Sequence, residues 1–153
     1  MKKEEKDLLL KDLSSRLPYG VKCYIPEAND TSILAAVLED GENTLFNFWE
    51  DSRKIQYWYQ LYISEFKPYL FPLSSMTEDQ MKELKGFCNM FTPDGYWPYA
   101  YWGIEVLYKH INDDNYKFSL KTDVIDWLHK NHIDYRGLIP KGLALDATGL
   151  NIY

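Results

Sequence analysis

The strongest constraint on the fold is an alternating pattern around Asp40-Gly41. The segment TSILAAVLEDGENTLFNFWE places two β-rich stretches on either side of this dipeptide, which tolerates the positive φ angles of a tight hairpin turn. The stretch GVKCYI before it and the stretch KIQYWYQLYI after it also alternate between two faces. Because short links join these four stretches, the sequence predicts a four-stranded antiparallel meander over residues 21–65.

Helices are predicted before and after the meander. Residues 3–16 carry leucines at helical spacing, and Leu17-Pro18 ends this helix because the residue before a proline is pushed out of the helical region. Thr77 and Gln80 form a capping box, which predicts a second helix at about residues 78–89.

The remaining segments carry weaker patterns. Two prolines in FKPYLFPLSSM exclude an ordinary central strand there. GIEVLYKHI has helical spacing but is also compatible with a strand, whereas LKTDVIDWLHKNH predicts a helix capped by Ser119 or Thr122. Glycine and proline turns make the segment from Ile133 to Tyr153 irregular.

These segments together predict a single α+β domain over residues 1–153. An N-terminal helix precedes the four-stranded antiparallel meander, two or three helices then pack on the sheet, and an irregular C-terminal tail docks along it. A chain of 153 residues has the usual size of one domain.

Charge and hydropathy exclude several classes of partner. The net charge of −6 disfavours duplex nucleic acid, whose phosphates are neutralised by a basic stripe. The start, MKKEEKDLLLKDL, mixes acidic with basic residues and lacks the apolar centre of a signal peptide. The longest apolar run, ILAAVL, is far shorter than the roughly 18 residues that span a bilayer. The sequence therefore predicts a cytoplasmic protein without a membrane partner.

Three blocks of the chain resemble a known group of proteins. LLLKDLSSRLPYGVK, KPYLFPLSSMTEDQ and WLHKNHIDYRGLIPKGLALDA, about a third of the chain, are similar to small proteins of Bacteroides-type gut bacteria and of their phages and mobile elements. The last block is the most specific. The resemblance supplies no activity and no catalytic residue. It implies a cytoplasmic accessory protein borne by a phage or mobile element.

Motifs of catalysis are missing from the sequence. It contains no GxxxxGK or GxGxxG phosphate loop and no GxSxG nucleophile elbow. Cys23 and Cys88 lie far apart and lack a local cysteine-protease signature. An enzyme is therefore the less favoured class, and we predict no catalytic residue and no cofactor.

A histidine pair raises the question of a metal. His129 and His132 stand three residues apart near a helix end, with Asp126 and Asp134 close by. This spacing can place two imidazoles beside one metal, but no further ligand stands at a matching spacing. Surface histidines favoured by the helix dipole are the preferred interpretation. We predict no metal.

Aromatic residues provide the first candidate surface. The chain has 13 Tyr and 5 Trp, side chains that suit interfaces and ligand walls because they join a large apolar area to a polar tip. Trp58 and Tyr62 share one strand face with two glutamines, and the loop GYWPYAYW adds Trp97 and Tyr99. This composition fits a partner interface or a base-stacking wall. The alternative is a second face of the sheet covered by the protein itself.

The segment HIDYRGLIPKGLALDA provides the second candidate. Arg136 and Lys141 could contact a phosphate or a carboxylate, since the planar guanidinium fork of arginine suits both anions. The alternative is that Arg136 pins the tail by pairing with Asp134 or a helix end. The apolar residues of this segment favour a docked tail.

Two functions from different classes follow. The first is a non-enzymatic accessory protein that binds a protein partner through an aromatic, acidic surface and inhibits a host factor. The second is a binding protein for a small anionic, nucleotide-like ligand, which stacks its base on Trp58 or Trp97 and holds its phosphate with Arg136 or Lys141. An enzyme of unknown activity is the third hypothesis, and a self-dimer is compatible with all three.

Overall fold

The computed structural model describes residues 1–40, 43–50, 59–89 and 122–153 of the chain. The described helices and strands follow in chain order: α1 (Lys3–Arg16), β1 (Lys22–Ile25), β2 (Asp30–Asp40), β3 (Asn43–Glu50), β4 (Tyr59–Tyr62), β5 (Lys67–Pro72), α2 (Glu78–Asn89), α3 (Thr122–Lys130), β6 (Ile133–Asp134) and β7 (Leu145–Asp146). The predicted α+β class is confirmed.

These elements form two compact units. The first comprises Met1–Leu70 together with Leu138–Tyr153, and the second comprises Phe71–Gly137. Strand β5 contributes its first four residues to the first unit and its last two to the second. The single-domain organisation expected from the sequence stays a prediction.

The predicted meander is confirmed in the first unit. Strands β1 to β4 are antiparallel neighbours in chain order, and the β2–β3 hairpin keeps its register down to Asp40 opposite Asn43. One bulge interrupts that hairpin, because Leu34 lies opposite Phe48 while Ala36 lies opposite Asn47. The predicted start of the fourth strand, before Tyr59, lies outside the described residues.

The exclusion of a strand at FKPYLFPLSSM is wrong. Residues Lys67–Pro72 form β5, which pairs antiparallel with β1 and parallel with β7. The backbone N–H of Ala147 donates to the C=O of Leu70 (2.8 Å), and backbone groups two residues apart in a strand point the same way. The nitrogen of Pro68 therefore points toward the side of β5 on which β7 lies. The pairing with β7 covers only Tyr69 and Leu70, so it begins after Pro68. The missing donor thus costs the sheet no hydrogen bond there.

The tail is also more regular than predicted. Strand β6 pairs in parallel with the end of β5 in the second unit, and β7 pairs in parallel with its middle in the first unit. The sheet is therefore mixed rather than a purely antiparallel meander of four strands. Each added strand is only two residues long, too short to show alternation in the sequence.

The core of the first unit lies between α1, the strands and the returning tail. Leu9 and Leu13 of α1 are fully buried, and the Phe66 ring packs against the rings of Phe46 and Phe48 at centroid distances of 5.1 and 4.7 Å. The tail supplies the buried residues Leu138, Leu143 and Ala144 to the same cluster. The tail is therefore part of the hydrophobic core.

The second unit packs α2 and α3 around a separate core. The buried members of this cluster are Leu73, Leu84, Val124, Trp127, Leu128, Ile133 and Tyr135. The predicted capping box of α2 is confirmed: the N–H of Thr77 donates to Oε1 of Gln80 (2.9 Å), and the N–H of Gln80 donates to Oγ1 of Thr77 (3.2 Å). The segment GIEVLYKHI and the candidate cap Ser119 lie outside the described residues.

Candidate functional site

The six predicted site residues have three different outcomes. Trp58, Trp97 and Tyr99 lie outside the described residues. Tyr62, at the end of β4, and the exposed Lys141 lie in the first unit, and Arg136 lies in the second unit. Tyr62 is the one around which a surface can be built from described neighbours.

Strand geometry presents Tyr62 on the outer face of the sheet. Leu61 and Ile63 are buried, whereas the alternating Gln60 and Tyr62 are exposed, with 49% of Tyr62 accessible. The turn after the strand holds this position, since the N–H of Tyr62 donates to the Glu65 carboxylate (2.6 Å) and its C=O accepts from the Glu65 N–H (2.9 Å).

An exposed apolar row extends from Tyr62 across three strands. Leu38 of β2 lies opposite Leu45 of β3, and Leu45 lies opposite Tyr62 of β4. Residues opposite one another share a face of the sheet, so these three side chains, which we call the apolar row, lie side by side. Leu38 is 43% exposed and Leu45 is half-buried. One position further along β3, Phe46 is buried on the core face.

Over the described residues, exposure of the outer face decreases away from the apolar row. Asn47 and Gln60 form the next outer pair, and Asn47 is buried. Among the described outer residues of these strands, Gln60 is exposed as well, and the apolar exposed side chains are those of the apolar row. Of the aromatic surface that the sequence predicts, only Tyr62 lies among the described residues, and that surface stays a prediction.

A groove of about 450 Å³ lies at the same end of the first unit. Its lining residues come from α1, β3 and the end of β4: Lys6, Asp7, Leu10, Thr44, Tyr62, Ile63 and Ser64. Lys6 and Asp7 are exposed and bring one positive and one negative charge to the groove. Tyr62 belongs to both the groove and the apolar row.

Cys23 is unsuited to nucleophilic chemistry. It is fully buried in β1, and burial raises the pKa of its thiol well above the ordinary value. A thiolate, which is the reactive form, is therefore disfavoured at neutral pH. Cys23 is a core residue of the first unit.

A buried ion pair in α1 was not anticipated from the sequence. The Nε of Arg16 lies 2.6 Å from Oδ2 of Asp12, Nη2 lies 3.2 Å from Oδ1, and both side chains are fully buried. Charged residues spaced four apart usually indicate a solvated helix face. One feature of the sequence did indicate that this pair is buried: Asp12 and Arg16 lie on either side of Leu13, which faces the core.

Arg136 stacks on its neighbour. Its guanidinium carbon lies 4.7 Å from the centroid of the Tyr135 ring, a cation–π geometry. The hydroxyl of Tyr135 lies 2.8 Å from Nε2 of His129, and both of these side chains are buried. Because His132 is buried as well, the interpretation of this pair as surface histidines is wrong. Neither Arg136 nor Lys141 lines the groove, and their role as anion contacts stays a prediction.

Metal and membrane features can be checked only over the described ranges. Within them, no group of three or more His, Cys, Asp or Glu residues is placed to hold a metal ion. None of the helices described is long and apolar enough to cross a membrane. Comparison with protein-family models, with curated proteins and with solved structures finds no match for the chain.

Proposed function

We propose that this protein is a non-enzymatic binding protein that docks a protein partner on its apolar row. The observation that carries the proposal is the alignment of Leu38, Leu45 and Tyr62 on three neighbouring strands, with Leu38 and Tyr62 more than two-fifths exposed. Single exposed apolar residues are common, whereas a contiguous row on a sheet surface is typical of an interaction site.

The surroundings of the row fit the anatomy of a protein interface. Such interfaces combine an apolar centre, often containing tyrosine, with a polar rim. Here the charged side chains of Lys6 and Asp7 lie in the groove that Tyr62 also lines. The net charge of −6 favours a partner with a basic surface, because complementary charge accelerates and orients docking.

The resemblance of three sequence blocks suggests the biological setting. In a cytoplasmic accessory protein of a phage or mobile element, such a surface would serve to bind and inhibit a host protein. The acidic character of the chain supports competition for a basic surface on that protein.

The groove supports a second candidate function, the binding of a small anionic ligand. A volume of about 450 Å³ lies in the range of small-molecule sites. Lys6 could hold a phosphate or carboxylate while the Tyr62 ring packs against the ligand. This candidate keeps the nucleotide-like ligand expected from the sequence but assigns it to other residues.

Affinity capture from host lysate with matched variants tests the proposed function. We expect the wild-type protein to retain one host protein in stoichiometric amount, and Leu38→Lys or Tyr62→Glu to retain at least tenfold less. Leu150→Lys is the control, because Leu150 is 53% exposed in the same unit but lies outside the row. Equal retention by Tyr62→Glu and the control would refute docking at the row.

A further inference from the structure

The pairing between β1 and β5 stops after two residue pairs. Cys23 lies opposite Pro68 and Tyr24 lies opposite Lys67. At the next position, where Lys22 would meet Tyr69, a side chain from another part of the chain lies between the strands. The backbone N–H of Lys22 donates to the hydroxyl of Tyr153 (3.0 Å), and this hydroxyl donates to the C=O of Tyr69 (2.8 Å).

The phenol therefore takes the place of a direct backbone hydrogen bond. A hydroxyl can accept one hydrogen bond and donate another, which is what the N–H of Lys22 and the C=O of Tyr69 require together. A ring without the hydroxyl would fill the space but leave both backbone groups without this partner. The gap is thus selective for a phenol over an equally large apolar ring.

Tyr153 as a whole is 41% exposed, but its hydroxyl lies between the N–H of Lys22 and the C=O of Tyr69. Burial raises the pKa of this hydroxyl well above its ordinary value, although the N–H of Lys22 and the charge of Arg16 act in the opposite direction. The group therefore keeps its proton at neutral pH, and the proton is needed for the hydrogen bond to the C=O of Tyr69.

The segment that carries Tyr153 is largely exposed. Ala147 is buried, but all four residues from Thr148 to Asn151 are exposed. Gly149 and Asn151 have φ angles of 76° and 47°, so the backbone turns twice through the left-handed region before it reaches the sheet. We call residues 148–153 the strap. At its start the N–H of Thr148 donates to the Asp146 carboxylate (2.8 Å), and at its end Tyr153 makes the two hydrogen bonds to β1 and β5.

We propose that the gap between β1 and β5 is a binding slot for a phenolic side chain, and that this chain occupies it with its own Tyr153 on a releasable strap. The slot consists of the N–H of Lys22 and the C=O of Tyr69, with Tyr153 as the bound group. A tyrosine of another molecule presents the same chemistry, so release of the strap would open the slot to it. This proposal is independent of docking at the apolar row.

Amide hydrogen exchange at Lys22 in the full chain reports occupation of the slot. We expect Tyr153→Phe and Tyr153→Ala to raise the exchange rate of this amide about tenfold or more, because its hydrogen-bond acceptor is lost. Tyr69→Phe is the control, since Tyr69 contributes only its backbone carbonyl to the slot. Protection of the Phe46 amide, in the β2–β3 hairpin, shows whether a variant is still folded.

Chemical rescue of Tyr153→Ala distinguishes a phenol slot from general packing. We expect millimolar p-cresol to restore protection of the Lys22 amide, and the same concentration of toluene to leave it unprotected. Equal protection by p-cresol and toluene would overturn the proposal. If Tyr153→Ala loses protection at Phe46, the variant is no longer folded, and the isosteric Tyr153→Phe is used to test the proposal instead. An exchange rate of the Lys22 amide in Tyr153→Phe equal to that of the wild type would overturn the proposal.

Discussion

At the scale of single residues, two polar contacts are not evident from the sequence. The spacing of Asp12 and Arg16 reads as a surface ion pair, and Tyr153 reads as the last aromatic residue of an irregular tail. Tertiary packing determines both contacts. Asp12 and Arg16 are buried in the folded chain, and the strap places Tyr153 at a gap between two strands. By contrast, the alternation of β4 predicted correctly which face carries Tyr62.

The buried ion pair allows a prediction about stability. Asp12→Asn removes the carboxylate charge that pairs with the buried guanidinium of Arg16, so we expect the free energy of unfolding to fall by about 3–5 kcal/mol. The double variant Asp12→Leu, Arg16→Met removes both charges and is expected to cost much less. Urea unfolding measures both changes, and a loss below about 1 kcal/mol for Asp12→Asn would contradict burial of the pair.

The Cys23 thiol predicts how stability depends on pH. Because burial raises its pKa in the folded state, the unfolded chain releases this proton first as the pH rises past about 8.5. The folded state then binds more protons than the unfolded state, and stability falls by up to about 1.4 kcal/mol per pH unit. Urea unfolding between pH 7 and about 10 should show a shallower decline for Cys23→Ala. Parallel curves for the variant and the wild type would show that Cys23 does not contribute.

At the scale of elements, local patterns predicted helices and hairpins but not long-range pairing. The capping box placed α2, and Asp40-Gly41 placed the hairpin, because these signals act between residues close in sequence. The sequence did not predict strand β5. A proline is tolerated in a strand when its nitrogen points to a side where no hydrogen bond is needed, and the local sequence does not show to which side the nitrogen of Pro68 points. That side is set by β7, whose residue Leu145 lies opposite Tyr69.

The capping box of α2 predicts a local effect on stability. Thr77→Ala removes the oxygen that accepts the N–H of Gln80, and we expect a loss of about 1 kcal/mol in the free energy of unfolding. Thr77→Ser keeps that oxygen and should be nearly neutral. Thermal unfolding of the two variants measures the difference. A Thr77→Ser variant as unstable as Thr77→Ala would indicate that the methyl group, not the cap, is responsible.

At the scale of the whole molecule, the division into two units permits a test of the single-domain prediction. The chain leaves the first unit within β5 and returns to it at Leu138, so one strand serves both units. We therefore expect them to unfold together. Leu128→Ala, in the core of the second unit, should lower global stability by about 2–5 kcal/mol and speed amide exchange in β2 and β3. Unchanged exchange in those strands would show two independent domains.

The most direct test of the central claim, that a protein partner docks on the apolar row, is native mass spectrometry of the protein purified from its natural host. We expect an added mass equal to a second protein chain for the wild type, and the bare chain for Tyr62→Glu prepared in the same way. A bare monomer for the wild type, or an added mass of only a few hundred daltons, would contradict it.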